Sequence, residues 1–344
     1  MTGMRMPAET DRHERTLMAW PTAKRTEFWD GHVPEAREAW ADVARAIAAF
    51  EPVTMVADLG EGDSADALLG DVAGVEVVEL PIDDSWIRDS GPIVVSDPVD
   101  PVRRAAVQFG FNAWGELVAP WDADARVATA LGDRLGLDVR TAPFVLEGGS
   151  IAVDGAGLLV TTERCLLHPN RGRLPGGTPR TTEALDELLA EWLGATTVVW
   201  LSDGLADDTD TDGHVDNVVA LPRPGVAILQ GCDDPDDPDA ATAAESRRRL
   251  TEAGLEVIEV PVLPRTEFAG RVVEVPYLNF YVGNGFAVVP VTGHPFDAEA
   301  LQIIGDQYPG RTVVPVDGTV IAYGGGGPHC ITHQVPALSD GTGA

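Results

Sequence analysis

Lysine is almost missing from this chain. Lys24 is the only one in 344 residues, and 24 Lys and Arg face 55 Asp and Glu for a formal net charge of -31. A surface so acidic repels nucleic acid, so no DNA or RNA partner is expected. It either steers a cationic substrate or keeps the protein soluble, and solubility is the simpler account of most of it. Cysteine is scarce as well. Cys165, Cys232 and Cys330 stand far apart, without the spacing of a zinc site or a disulfide framework, which fits a reducing cytoplasm. Long apolar runs are absent. The segment Met1 to Thr10 has no basic start leading into an apolar stretch, and nothing is long and apolar enough to cross a bilayer, so neither export nor a membrane partner is expected. What is present is a 44% hydrophobic composition, enough to bury the core of one large domain or two ordinary ones.

Short β-rich runs recur about every 60 residues, a spacing that calls for a repeat architecture: Val75 to Leu80, Leu137 to Phe144, Thr196 to Leu201, Leu255 to Val260 and Arg311 to Val316. Each is followed by a polar or Gly-rich loop and a second strand-like run, at Gly91 to Val95, Gly148 to Val153, His214 to Leu221, Tyr277 to Val282 and Cys330 to Val335. A third apolar run follows in most units. Helical spacing then predicts helices over Asp122 to Leu135, Thr182 to Leu193, Ala240 to Ala253 and Ala298 to Tyr308, each closing its unit. The last unit lacks a third strand and a helix; Leu17 to Trp20 and Pro34 to Phe50 can supply them and close a ring, with both chain ends in one blade. A doubly wound sheet fits less well, because Gly324 to Gly327 lead into another β-like run instead of opening a helix.

In a ring of related units the loops between first and second strands share one axis. These loops hold Asp83, Asp84, Trp86, Arg88 and Asp89; then Glu147 with two glycines; then Asp207 to Asp216 with His214; and finally Gly324 to Cys330. Those are the components of a cysteine-dependent site. Cys330 follows four glycines and Pro328, where backbone approaches a ligand closely and no bulky side chain shields the sulfur. A buried structural cysteine is the alternative for it, as packing is for Cys165 and Cys232. His214 lies between Asp212 and Asp216, which would raise its pKa and hold its ring. The acid-rich 207–216 loop lacks the ligand spacing of a calcium loop, and the Gly-rich stretch lacks the lysine of a phosphate cradle.

Seven segments, in family order, resemble agmatine deiminases of the guanidino-group-modifying superfamily: MPAE from Met6, WIRDSGP from Trp86, GFNAW from Gly110, LEGGS from Leu146, TDGHVDN from Thr211, NFY from Asn279 and GGGGPHCIT from Gly324. The resemblance implies an α/β pentein fold, five ββαβ-type units about a pseudo-fivefold axis in a single domain over residues 1–344, with a flexible tail over 337–344. It implies hydrolysis of agmatine to N-carbamoylputrescine and ammonia through a covalent thiouronium intermediate on Cys330. His214 would serve as general acid and base, and Glu147 would pair with it. Asp89 and Asp216 would bind the planar guanidinium, whose N–H donors call for in-plane carboxylates. Trp86 is a candidate wall for the aliphatic chain or simply core, and Asp212 either a substrate ligand or a support. No cofactor or metal is implied, and the family points to a homodimer or larger homo-oligomer.

The chain departs from the family pattern at Gly327, Pro328 and His333, where Asn-Ile and Gln are common, and over Arg265 to Pro276, beside the substrate tail. Arginine, peptidyl-arginine or another guanidine therefore remains an alternative substrate. A non-catalytic guanidine-binding protein is a third reading, against which the thiol speaks.

Overall fold

A computed structural model describes residues 3–100, 102–232 and 234–338. The apolar runs become strands, but they assemble in a frame shifted from the units suggested by the sequence. Ile93–Ser96 pairs antiparallel with Arg104–Gly110; the helix Asp124–Arg134 then returns the chain to Asp138–Val145, parallel to Arg104–Gly110. The same order recurs three times. It is built from Ile151–Val153, Leu158–Thr162, helix Thr182–Leu193 and Thr197–Leu201; from Val219–Arg223, Val226–Gln230, helix Ala240–Glu252 and Glu256–Val260; and from Tyr281–Gly283, Phe286–Val291, helix Asp297–Gln307 and Thr312–Asp317. Each helix thus carries the chain to the third strand of its own sheet and does not close a unit. A parallel neighbour cannot be reached by a tight turn, so a crossover is required.

A fifth sheet joins the two ends of the described chain. Thr332–Pro336 pairs antiparallel with His13–Ala19, which runs parallel to Val53–Ala57 across helix Val33–Ala48; helix Gly62–Leu69 leads to a fourth strand, Val75–Glu79. Ala337 N donates to Arg12 O at 2.7 Å, while residues 339–344 of the expected tail lie outside the described residues. Val53–Ala57, buried at every position, shows no alternation to reveal it in sequence. A separate hairpin pairs Arg265–Phe268 with Arg271–Glu274.

One part of the core bears directly on the site. Trp29 stacks on Trp86, centroids 6.4 Å apart, and Trp40 meets both edge-on. This block closes against the Gly-rich turn. A Cβ at Gly324 would come within 2.3 Å of Trp29, and one at Gly326 within 2.6 Å of Trp86, so only glycine lets the backbone lie on the rings. Trp40 is completely buried. Trp40→Ala is expected to cost about 3–5 kcal/mol in urea unfolding; a loss below about 1 kcal/mol would show that the block is not the support proposed for the turn.

Candidate active site

Cys330 sits between the Gly-rich turn and the strand Thr332–Pro336, and Asn279 grips it on two sides. The backbone N–H groups of His329 and Cys330 donate to Asn279 Oδ1 at 3.1 and 3.2 Å. Asn279 Nδ2 lies 3.1 Å from the Cys330 sulfur and donates to Asn217 Oδ1 at 2.8 Å. Arg88 completes the frame: its Nε donates to His329 O and its backbone N–H to Cys330 O, both at 3.2 Å. Cys330 is therefore held by backbone and amide contacts, and its sulfur has no disulfide partner among the described residues.

The carboxylates arrive from separate loops. Asp89, on the short helix Ile87–Ser90, accepts from Gly149 N at 2.8 Å and from Trp114 Nε1 at 2.9 Å. Ala113 and Trp114 adopt positive φ values of 49° and 54°, an unusual backbone for such residues, and the bend delivers the indole to Asp89. Asp216, in the turn Val215–Asn217, lies 3.6 Å from the Cys330 sulfur through Oδ2, and its buried Oδ1 has no hydrogen-bond partner among the described residues. Gly149 marks the convergence point. A Cβ there would come within 2.6 Å of His214 Nδ1, 2.9 Å of Asp216 Oδ2 and 3.0 Å of Asp89 Oδ1.

Behind His214 lies a second buried layer. Its backbone N–H donates to Asp208 Oδ2 and Thr211 Oγ1, at 3.0 and 3.1 Å, so part of the acid-rich loop serves to shape the turn that presents the ring. A ring nitrogen of His214, the Cys165 sulfur and a Glu147 carboxylate oxygen lie within 4.8 Å of one another. Glu147 Oε1 accepts from Arg171 Nε at 2.8 Å, whereas Glu147 Oε2 and His214 Nε2 have no hydrogen-bond partner among the described residues. Arg171 also pairs with Asp212, whose carboxylate accepts from Asn170 Nδ2 at 2.9 Å. Glu147, Cys165 and His214 are the one trio of metal-ligand type among the described residues. Arg171 already pairs with Glu147, so the trio carries a positive charge beside it that weighs against a bound cation.

Burial dominates the electrostatics. It pushes the Cys330 thiol well above its ordinary value, and Asp216 and Asp89 add to the rise. Burial also works against a charged His214, but Asp89, Cys165 and Asp216 outweigh it and hold the imidazole well above its ordinary value. These charges thus favour a neutral thiol beside an imidazolium. Asp89 is raised by burial, against the pull of His214; Asp216, despite burial, is lowered through His329.

Of the residues singled out in the sequence, Cys330, His214, Asp89 and Asp216 come together, with Glu147 directly behind. Trp86 packs against the turn at Gly326, beside Cys330. Asp212 is taken up by Arg171 and Asn170. Asp83 and Asp84 point elsewhere: Lys24 pairs with Asp83 and Arg25 with Asp84, while Asp124 accepts from both backbone N–H groups. Sequence reading passed over Glu9, Trp114, Cys165, Arg171, Asn279 and His329 as site residues. Glu9, Trp114, Asn279 and His329 lie within the family-like segments, which was the signal available; Cys165 was assigned to packing. A cleft of about 170 Å³ leads to Gly325 and Gly326, walled by Asp207, Asp208, Asp210, Glu274, Arg271 and Tyr323.

Fold and site together define an α/β protein with a buried cysteine, histidine and carboxylate centre. The chain belongs to the Porphyromonas-type peptidyl-arginine deiminase family, whose model matches residues 5–336. It is 39% identical to an agmatine deiminase of Pseudomonas aeruginosa, over 97% of this chain and 96% of the relative. It is 43% identical to a putative agmatine deiminase of Streptomyces coelicolor, over 96% and 98%. A solved agmatine deiminase of Enterococcus faecalis superposes with a TM-score of 0.88 at 32% identity, covering 98% of this chain and 96% of that one.

Because Gly149 lies where His214, Asp216 and Asp89 meet, Gly149→Ala is expected to lower kcat/KM at least about a hundredfold. Its melting temperature should stay within a few degrees of the parent, read by calorimetry alongside the assay. Wild-type kcat/KM in this variant would show that the convergence point is not where substrate reacts.

Proposed function

We propose that the protein is an agmatine deiminase, hydrolysing agmatine to N-carbamoylputrescine and ammonia. The observation that carries this reading is the convergence of a thiol, an imidazole and two carboxylates on the small space beside Gly149. A guanidinium between Asp89 and Asp216 donates to both, and its positive charge offsets the two carboxylates that hold the thiol in its neutral form. Substrate binding therefore favours loss of the thiol proton to solvent, because His214 is already the imidazolium. The Cys330 thiolate attacks the guanidinium carbon; the C–N bond breaks as His214 gives its proton to the departing ammonia, leaving a thiouronium on sulfur. The now neutral His214 takes a proton from water, hydroxide adds to the same carbon, and the C–S bond breaks to restore the thiolate. The proton freed as the carbonyl forms balances the one that ammonia takes up as ammonium. Glu147 supports the charged imidazole from behind, and Trp86 walls the aliphatic chain. Asp212 steadies Glu147 through Arg171.

The acidic wall of the cleft, where Asp207, Asp208 and Asp210 outnumber Arg271 while Glu274 is paired with Arg265, favours a tail ending in an ammonium over one bearing a carboxylate. Five sheets of like strand order support one pentein domain of five ββαβ-type units about a pseudo-fivefold axis. We read the protein as acting in the cytoplasm without cofactor or metal, as a homo-oligomer, on a small guanidine and on neither nucleic acid nor membrane. No helix among the described residues is long and apolar enough to cross a membrane.

Ammonia release should be measured over agmatine, arginine and guanidino acids, with Cys330→Ala as control. The expectation is turnover of agmatine that survives EDTA and falls at least about a thousandfold in the variant. Activity surviving the substitution would remove the mechanism, whereas silence on agmatine with turnover of arginine would remove the substrate.

A further inference from the structure

His329 has a role in none of the steps above, yet both of its ring nitrogens are bonded to carboxylates beside Cys330. Its Nδ1 lies 2.8 Å from Asp216 Oδ2 and its Nε2 lies 2.6 Å from Glu9 Oε1. Two carboxylates on the two ring nitrogens require both to act as donors, which is the imidazolium form. Asp216 Oδ2 also lies 3.6 Å from the Cys330 sulfur. The ring therefore joins an acid from the centre of the molecule to one from the N-terminal segment.

That segment is itself anchored. Glu9 O lies 3.0 Å from His13 Nε2, and His13 Nδ1 lies 3.0 Å from Glu51 Oε1; Glu51 in turn accepts from Thr16 Oγ1 at 2.5 Å. Arg88 lies against Glu9 at 3.3 Å and donates to Gln334 Oε1 at 2.8 Å. Glu9 is thus placed from outside the site by His13, and from within it by Arg88, which also frames Cys330. It also lines, with Asp216 and His329, a small cavity apart from the acidic cleft.

We propose that His329, clamped between Asp216 and Glu9, is a positioning residue that fixes the rotamer and ionised state of Asp216 for the substrate guanidinium, with Glu9 as its anchor. This rests on the reading that Asp216 binds the guanidinium. Without the clamp, Asp216 would keep one free oxygen and one drawn only toward the thiol, in a buried site it shares with Asp89. A carboxylate there, lacking its cation, gains stability by taking a proton or turning away. Either outcome weakens guanidinium binding more than it slows the bond-breaking steps.

The charge pattern agrees. Burial and Arg88 oppose a charged His329, but Glu9 and Asp216 hold its pKa above the ordinary value. Burial works to raise Glu9, yet His329 and Arg88 bring it down to about 2. The other titratable or charged groups acting on Asp216 are His214, Arg88, Asp89 and Cys330; Arg88 and His333 are the others felt by His329.

The test is the pH dependence of kcat/KM with agmatine for His329→Gln and Glu9→Gln, with Asp216→Asn as control. Loss of the imidazolium raises the pKa of Asp216, so the acid limb should move to higher pH. In His329→Gln, kcat/KM should fall about tenfold to a hundredfold, mainly through KM, as for one charged hydrogen bond lost. Glu9→Gln should shift the limb the same way by less, and it decides the question if His329→Gln does not fold. A merely structural role would lower activity evenly at all pH values; an unmoved limb with wild-type KM in the folded variants would overturn the proposal. If Asp216→Asn itself binds agmatine normally, the reading of Asp216 falls instead.

Discussion

The site depends on one electrostatic constraint: several acids and a thiol share a volume that excludes water. Asp89, Asp216 and Glu147 are all buried, and buried carboxylates persist only when paired. The protein provides Arg171 for Glu147, His329 for Asp216, and His214 for Asp89. That leaves the space beside Gly149 lined by oxygen atoms and a neutral thiol. On the proposed reading, a flat cation completes the balance and its arrival favours the thiolate.

Most of the surrounding construction brings these groups close without letting them collapse together. Small residues make the room, at Gly149 between three side chains and at Gly326 between Trp86 and Cys330. Amides fix the thiol, since Asn279 holds both the backbone and the sulfur of Cys330. The charged residues work in layers. Asp212 steadies Arg171, which steadies Glu147, and Glu9 steadies His329. Chain ends that are remote in sequence are recruited to the centre because Thr332–Pro336 pairs with His13–Ala19.

Much of this was legible in the sequence, for physical reasons. Strands such as Thr197–Leu201 and helices such as Thr182–Leu193 are set by local composition and periodicity, and they fall where expected. The order in which strands join a sheet is not local, and there the sequence units were framed one strand out of register with the sheets. Residues that stand alone in a telling context, Cys330 after four glycines and His214 between acids, could be read directly. Cys165 and Arg171 could not: their significance arises only from packing against His214 and Glu147. His329 was visible but carried no weight beside Cys330, because its two partners lie 113 and 320 residues away. The abundance of acid hid as much as it showed, since Asp83 and Asp84 resemble site residues in sequence and prove to hold Lys24 and Arg25.

The central claim is that Cys330 forms a covalent bond to the guanidinium carbon, and trapping that bond tests it most directly. Protein mixed with agmatine, quenched in acid within milliseconds and digested for mass spectrometry, should carry agmatine less ammonia on the peptide containing Cys330. Turnover with no such adduct at any quench time, or an adduct on Cys165 instead, would contradict the account.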